Sequence, residues 1–558
     1  MNASTFSQYS IAANFTNDSL IILYSIGVAV TLLISGAVYF FCRQSQWAIS
    51  KTLLRLLIVA AGYLFFAQYF KYRSLHFYVD FSHWMQLLYT IVDTGFPHAL
   101  NQEFIVPGSL NYFSVHFVPF IYILAMPFKL IPSPETVIVL NVVLMLSAAI
   151  PLYKLAFYMR KDRHFALLIA ALLLWYPTFQ YITLYEFEML RFSIPILLWM
   201  LYFFETRRTL LYFLFAFLAI FVREEMGLTI AIFGIYAWFF QKRRREGLPS
   251  IFLGLGGFAL ITSVIMLMLR SGEYIHVAAG EFSKFGSSPF EIVVGVIRHP
   301  VVMFQMILNP LKLANLFMLG FPLLFVPLAS PSALLGMMAN VGTGLLSKSV
   351  IHTSYQLYYL APSVPFIFYA LLKAWPSLTL PSPLGRGVGV RIRGWVGGWG
   401  EKPLMNALLT AVIVSNIFFG PSPISLQFWF KDIRPAPFRT QDFHGSTYRV
   451  ITHHQKVEEF VDLIPNDAIV SAPQFLHPRL YKKKGTMMFP KLQSQDGKWR
   501  AEYVLLDITN NGLKLESPAY VTQTEMAVVR ENSEWKFMKA DDGYELYRRH
   551  LFLKDDSL

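Results

Sequence analysis

Apolar runs close to the ~20 residues that a helix needs to cross a bilayer recur along most of this chain, and no other feature narrows its fold as far. They fall at 20–42, 54–70, 136–158, 165–182, 190–204, 209–222, 226–241, 250–269, 312–328, 332–347, 356–374 and 404–420, which gives twelve candidate spans. Composition agrees: 55% of the 558 residues are hydrophobic, 51 are Phe and 15% are charged, and the mean hydropathy is +0.46. Those values exclude a soluble globular enzyme for the whole chain. The expected fold class is mainly α, a polytopic helical membrane protein.

Charge divides the chain. Residues 1–420 hold 28 Lys/Arg and 16 Asp/Glu, too few charges to cover a water-facing surface, whereas residues 421–558 hold 19 and 18, an ordinary soluble density. After Gly420 the pattern changes to short β-rich runs, "AIVSA" and "EYVLLDIT" among them, mixed with helical ones. Three parts are therefore expected. Residues 1–53 form an anchor span and a cytoplasmic turn. Residues 54–420 form a transmembrane domain with an outer loop 71–135 and a glycine-rich cytoplasmic loop 375–403. Residues 421–558 form a small mixed α/β domain facing outward. The single cysteine, Cys42, rules out an internal disulfide and a cysteine-based metal site.

Orientation follows from the cationic connections, which stay cytoplasmic. The connections 43–53, 159–164, 205–208, 242–249 and 375–403 hold "RQSQWAISKTL", "MRKDRH", "ETRR", "KRRREGLP" and "GRGVGVRIRG", and share one side if both termini are extracytoplasmic. This parity requires Phe113 to Ile131, which contains His116, Pro119 and Pro127, to lie on the outer leaflet rather than cross. Most acids of the first part then face outward.

Ionisable groups beside span ends are functional candidates, because charge near lipid is costly without a partner. Three clusters stand out. In "HFYVDFSHW", Asp80 lies near His83 in an aromatic setting, and helix N-capping ahead of "FSHWMQLLYTIV" is an equal reading. In "YEFEMLRFSIP", Glu186 and Glu188 share a short connection with Arg191, where two close carboxylates can bind a metal, share a proton or pair with arginine. A Glu188–Arg191 pair on the first helical turn is the plain alternative. In "FVREEMGLT", Arg223, Glu224 and Glu225 stand between apolar runs, and an arginine there suits a phosphate. His116, His352 and Tyr355 are supporting candidates, and no histidine spacing marks a zinc site.

These stretches resemble the GT-C class of integral-membrane glycosyltransferases, whose donors are polyprenyl-phosphate-linked sugars. More narrowly, "YVDFSHWMQLLYT", "HFVPFIYILAMPFKLIPSP", "YEFEMLRFSIPILL", "FVREEMGLT" and "YYLAPSVPF", with "IVSAPQFLHPRLYKKKGTMMFP" in the tail, look like the bacterial domain-of-unknown-function family twenty seventy-nine. The resemblance implies a GT-C-like core in a bacterial inner membrane. It implies transfer of a sugar from a polyprenyl-phosphate donor to an extracytoplasmic acceptor, with Asp80 as general base or as ligand of a divalent metal ion. Arg223 would hold the lipid phosphate, and Glu186 and Glu224 would orient sugar, metal or Arg223. The implied partners are membrane lipids, the lipid-linked sugar and an acceptor, and no nucleic acid. A transporter or flippase of a lipid-linked or anionic substrate is the competing reading, followed by a non-enzymatic scaffold or sensor; no inverted internal repeat and no acid in mid-span favours transport.

Overall fold

The computed structural model describes residues 49–100, 109–270, 279–379, 401–431, 443–494, 497–509 and 523–550. The expected span 20–42 and nearly all of the glycine-rich loop lie outside these. The chain is mainly helical with a small C-terminal sheet. In chain order the first helices are α1 (Ile49–Arg73), α2 (Val79–Thr94), α3 (Ile121–Leu130), α4 (Pro134–Ser147), α5 (Ala149–Arg160), α6 (Arg163–Trp175) and α7 (Pro177–Leu184). They are followed by α8 (Ser193–Glu205), α9 (Thr209–Ile220), α10 (Met226–Ile235) and α11 (Arg244–Leu260).

By length and composition, three helices among the described residues can cross a membrane: Lys51–Arg73, Pro134–Arg160 and Arg244–Met268. Two bent pairs bring the number to five if each is one span, Arg163–Trp175 with Pro177–Leu184 at 51° and Pro300–Ile307 with Pro310–Leu323 at 55°. Proline is the physical reason that several apolar runs are shorter helices than hydropathy suggests. Pro177 and Pro310 open new helices after a bend, and Pro322, Pro327 and Pro331 sit in a series of 3-10 turns between residues 321 and 337. The runs at 209–222, 226–241 and 404–420 form apolar helices of 10–17 residues. Helix α3 has 10 residues, a rise of ~15 Å, about half of a hydrocarbon core.

Helices α10 and α11 touch through glycines. A Cβ on Gly227 would lie 2.6 Å from the Gly254 carbonyl oxygen, and one on Gly234 would lie 2.8 Å from that of Gly247. This contact fixes the start of α10, and with it the turn that carries Arg223 and Glu224.

The sheet is built from β1 (Ile469–Ala472), β2 (Gly485–Met488), β3 (Tyr503–Asp507), β4 (Trp535–Asp541) and β5 (Tyr544–Arg549) in the order β2-β1-β3-β5-β4. Strands β2, β1 and β3 are parallel, and β5 and β4 join antiparallel. The sheet region does not stand apart from the helices. Leu75, in the turn between α1 and α2, is buried in the core formed by Val457, Phe460, Val470 and Leu546. Leu100 is buried with Ile469, Met487 and Val504 in a second core. Polar contacts repeat the docking: Ser82 Oγ donates to the His477 carbonyl at 3.0 Å, and Arg479 donates to the Tyr72 carbonyl at 3.0 Å. The Arg479 guanidinium lies 4.0 Å from the Tyr72 ring centroid.

The glycine contact is testable. Gly254→Val, which forces side-chain bulk between α10 and α11, is expected to cost about 1–3 kcal/mol and lower the melting temperature in detergent, whereas Gly256→Val, where a Cβ meets nothing within 4 Å, is expected to leave it unchanged.

Candidate functional site

Four chain segments converge where membrane helices end. Asp80 follows α1 by a short turn, Glu186 and Glu188 follow α7, Arg223 to Glu225 precede α10, and His116 lies in the extended stretch before α3. One of the two sequence readings made Asp80 a helix cap, but Tyr78 holds that position and Asp80 is in the first turn of α2. There the helix dipole favours its negative charge. Tyr185 OH donates to Asp80 Oδ2 at 2.7 Å, and the amide of the next residue, Phe81, donates to Glu186 Oε2 at 3.1 Å.

The second half of the cluster is built on Arg223. Its Nη2 lies 2.9 Å from His116 Nε2 and its Nη1 3.4 Å from Glu188 Oε1; its Nε lies 3.6 Å from Glu225 Oε2. A guanidinium only donates, so His116 Nε2 accepts and the proton on Nδ1 is given to Glu224 Oε1 at 2.8 Å. The other Glu224 oxygen accepts from the Phe117 amide at 2.9 Å. Glu188 therefore pairs with Arg223 rather than with Arg191.

Arg191 is fully buried. It donates to Asn141 Oδ1 at 2.9 Å, to the Thr183 carbonyl at 3.4 Å and to the Glu186 carbonyl. Asn141 in turn donates to Gln68 Oε1 at 3.0 Å. Arg191 is thus a brace for the Tyr185–Glu188 connection and has no face left for a substrate. Tyr355 is also fully buried, edge-on to Tyr181 at 5.6 Å, so it too is removed from ligand contact. His83 packs on Tyr112 at 4.6 Å beside Trp84. His352 sits at the rim, with Nδ1 2.6 Å from Ser347 Oγ and its ring 4.5 Å from Tyr359.

Burial divides the acids by charge state. Glu186 is pushed up to about 8, first by burial and then by Asp80, against the amides of Phe81 and Tyr78. Asp80 is also raised by burial, opposed by the Tyr185 hydrogen bond and by Arg191 and Arg223. Burial raises Glu188, against Arg223 and His116. At Glu224 burial works against the charge, but His116 and Arg223 outweigh it and hold the carboxyl at about 2.

Among the described residues no three His, Cys, Asp or Glu side chains come together in a way that could hold a metal ion. Asp80 and Glu186 direct oxygens to a phenol and a backbone amide, and this donor set does not fit the metal expected at Asp80. Sequence reasoning missed Tyr185, the donor to Asp80, and Arg270, whose Nε donates to the Ser114 carbonyl at 2.5 Å and whose charge acts on Glu224. The signal for Arg270 was present, since it directly follows the apolar run 250–269.

The fold and this cluster define a mainly helical protein with helices long and apolar enough to cross a membrane and a buried carboxylate–arginine centre near their ends. The family model described as "Predicted membrane protein (DUF2079)" matches residues 71–546, and the chain belongs to that family. No curated protein matches it. One solved structure to which the chain is similar is the archaeal oligosaccharyltransferase AglB from Archaeoglobus fulgidus, in complex with an inhibitory peptide and a dolichol-phosphate. Identity is 10%, the match covers 91% of this chain and 75% of that one, and the TM-score is 0.38.

The raised Glu186 has a measurable sign. Its unfolded carboxyl ionises near 4.5 and its folded one near 8, so folding takes up a proton there and stability falls as pH rises between those values. Glu186→Gln is expected to remove that slope and to gain ~1 kcal/mol or more at pH 8, read as melting temperature against pH in detergent.

Proposed function

We propose that this protein is a membrane glycosyltransferase that moves a sugar from a polyprenyl-phosphate donor to an acceptor on the extracytoplasmic face. One observation carries the reading: Asp80, half-buried and raised by its surroundings, sits beside Tyr185, a protonated Glu186 and the Glu188–Arg223–His116–Glu224 chain at the level where membrane helices end. The donor's tail must stay in lipid while its phosphate and sugar reach water, so the reaction belongs at that depth. The ends of α1 and α7 and Arg270, two residues after the span Arg244–Met268, all lie near these residues, while the basic turns Arg160–Arg163 and Lys242–Arg245 lie at the opposite ends of the same helices. By the rule that cationic turns stay inside, the site faces outward.

In this reading Asp80 is the general base. It accepts the proton of the acceptor hydroxyl or amine as that atom bonds to the anomeric carbon, and the carbon–oxygen bond to phosphate breaks to release the polyprenyl phosphate. Arg223 is the cation for the leaving phosphate. Glu188 and Glu225 fix its orientation, and Glu224 holds the His116 tautomer that accepts from it. Glu186, its carboxyl pushed up to about 8, accepts from the Phe81 amide and so anchors the start of α2.

The test is release or transfer of labelled sugar from a polyprenyl-phosphate hexose by the purified protein. Asp80→Asn is expected to lower the rate ~100-fold or more, and Tyr185→Phe to lower it by less. An Asp80→Asn variant as active as the wild type overturns the assignment of the base.

A further inference from the structure

The accessible rim of the site is aromatic. Tyr358 and Tyr359 are half-buried beside the carboxylates, with ring centroids 4.3 Å apart at 36°. The Tyr358 ring lies 5.2 Å from that of Tyr185, whose hydroxyl holds Asp80. Tyr359 also meets His352 edge-on, at 4.5 Å and 90°. The charges of Arg223, Asp80 and Glu188 all reach Tyr359.

The pair is held from behind. Asn340 Nδ2 donates to the Tyr359 carbonyl at 2.5 Å, and Ser363 Oγ donates to Asn340 Oδ1 at 2.7 Å. His352 is fixed through Ser347, whose hydroxyl lies 2.7 Å from Glu281 Oε2. These tethers make a rigid surface, which loses little conformational entropy when a ligand settles on it. Rings left half open beside a charged cluster suit a ligand with one apolar face and a polar perimeter. A pyranose has that character: its axial C–H bonds form an apolar face and its hydroxyls a ring of donors suited to carboxylates.

We propose that Tyr358 and Tyr359 form the platform for the transferred glycosyl group, with the apolar face of the sugar on the Tyr359 ring and its hydroxyls turned toward Asp80 and Glu188. This rests on the transferase reading and deepens it: the ligand is recognised by its sugar as well as by its phosphate.

The test is equilibrium binding of hexose 1-phosphates to the purified full-length protein in detergent, with inorganic phosphate as the comparison. The wild type is expected to bind at least one hexose 1-phosphate about tenfold or more tighter than phosphate. Tyr359→Ala is expected to erase that difference while leaving phosphate affinity and melting temperature unchanged, and Tyr359→Phe to retain it. Equal binding of sugar phosphate by the wild type and Tyr359→Ala, or no preference for sugar phosphate over phosphate in the wild type, overturns the platform. Sugar release by a protein whose binding ignores Tyr359 leaves the transferase reading standing without it. Binding that depends on Tyr359 in a protein that never releases sugar removes the transferase reading and keeps the platform.

Discussion

Five carboxylic acids gathered around one arginine cannot all be ionised without partners, and the way that conflict is resolved shapes the rest of the structure. Removing a charge from water costs several kcal/mol unless a partner compensates it. Arg223 compensates the outer acids, contacting Glu188, Glu225 and His116 through separate nitrogens. Glu186, beyond its reach, takes up a proton instead. Asp80 is left between these two solutions, raised by burial but held by the Tyr185 hydroxyl and by the charges of Arg191 and Arg223.

The same constraint accounts for the buried brace behind the site. The connection from Tyr185 to Glu188 is short and has no regular backbone pairing, so its carbonyls need donors from elsewhere. Arg191 supplies them to Tyr185 and Glu186, and Asn141 with Gln68 completes the set at Thr183. A guanidinium serving carbonyls rather than carboxylates keeps a positive potential under the acid pair without pairing to either member, and Asp80 is among the groups it acts on.

Much of this was legible in the sequence, for a simple reason: charge is rare in the membrane part, so each charged cluster there signals a cost that folding must recover. Asp80, Glu186, Glu188, Arg223 and Glu224 were found that way, and the structure brings them together. Pairing was not legible. Arg191 lies three residues from Glu188, as a helical pair should, yet the chain there adopts a 3-10 turn and the guanidinium turns inward. Tyr355 and Tyr359 cannot be told apart by composition, since both lie in one aromatic run, but the first is buried against Tyr181 and the second is half open to the site. Span counting also reached its limit, because hydropathy registers an apolar run whether or not proline has divided it. The mixed character of the tail was visible in its alternating β-rich and helical runs, whereas its attachment to the helices depends on Leu75 and Leu100, single leucines far from it in sequence.

That attachment bears directly on the chemistry. Helix α2, which carries Asp80, has no side-chain cap at its start, and its first turn would fray if only the membrane helices held it. The C-terminal region grips it at Ser82 and Gln86 through the carbonyls of His477 and Lys484, while Arg479 occupies the carbonyls of Tyr72 and Arg73 that end α1 and is itself paired with Glu458. A buried arginine at the carboxyl end of a helix satisfies otherwise unpaired acceptors and opposes the negative end of the dipole. The turn between α1 and α2 is thereby fixed at both sides, and Phe81 N is held where Glu186 can accept from it. The sheet region is accordingly part of the apparatus that sets the position of Asp80, which explains why contacts to α2 come from both the membrane helices and the C-terminal segment rather than from either alone.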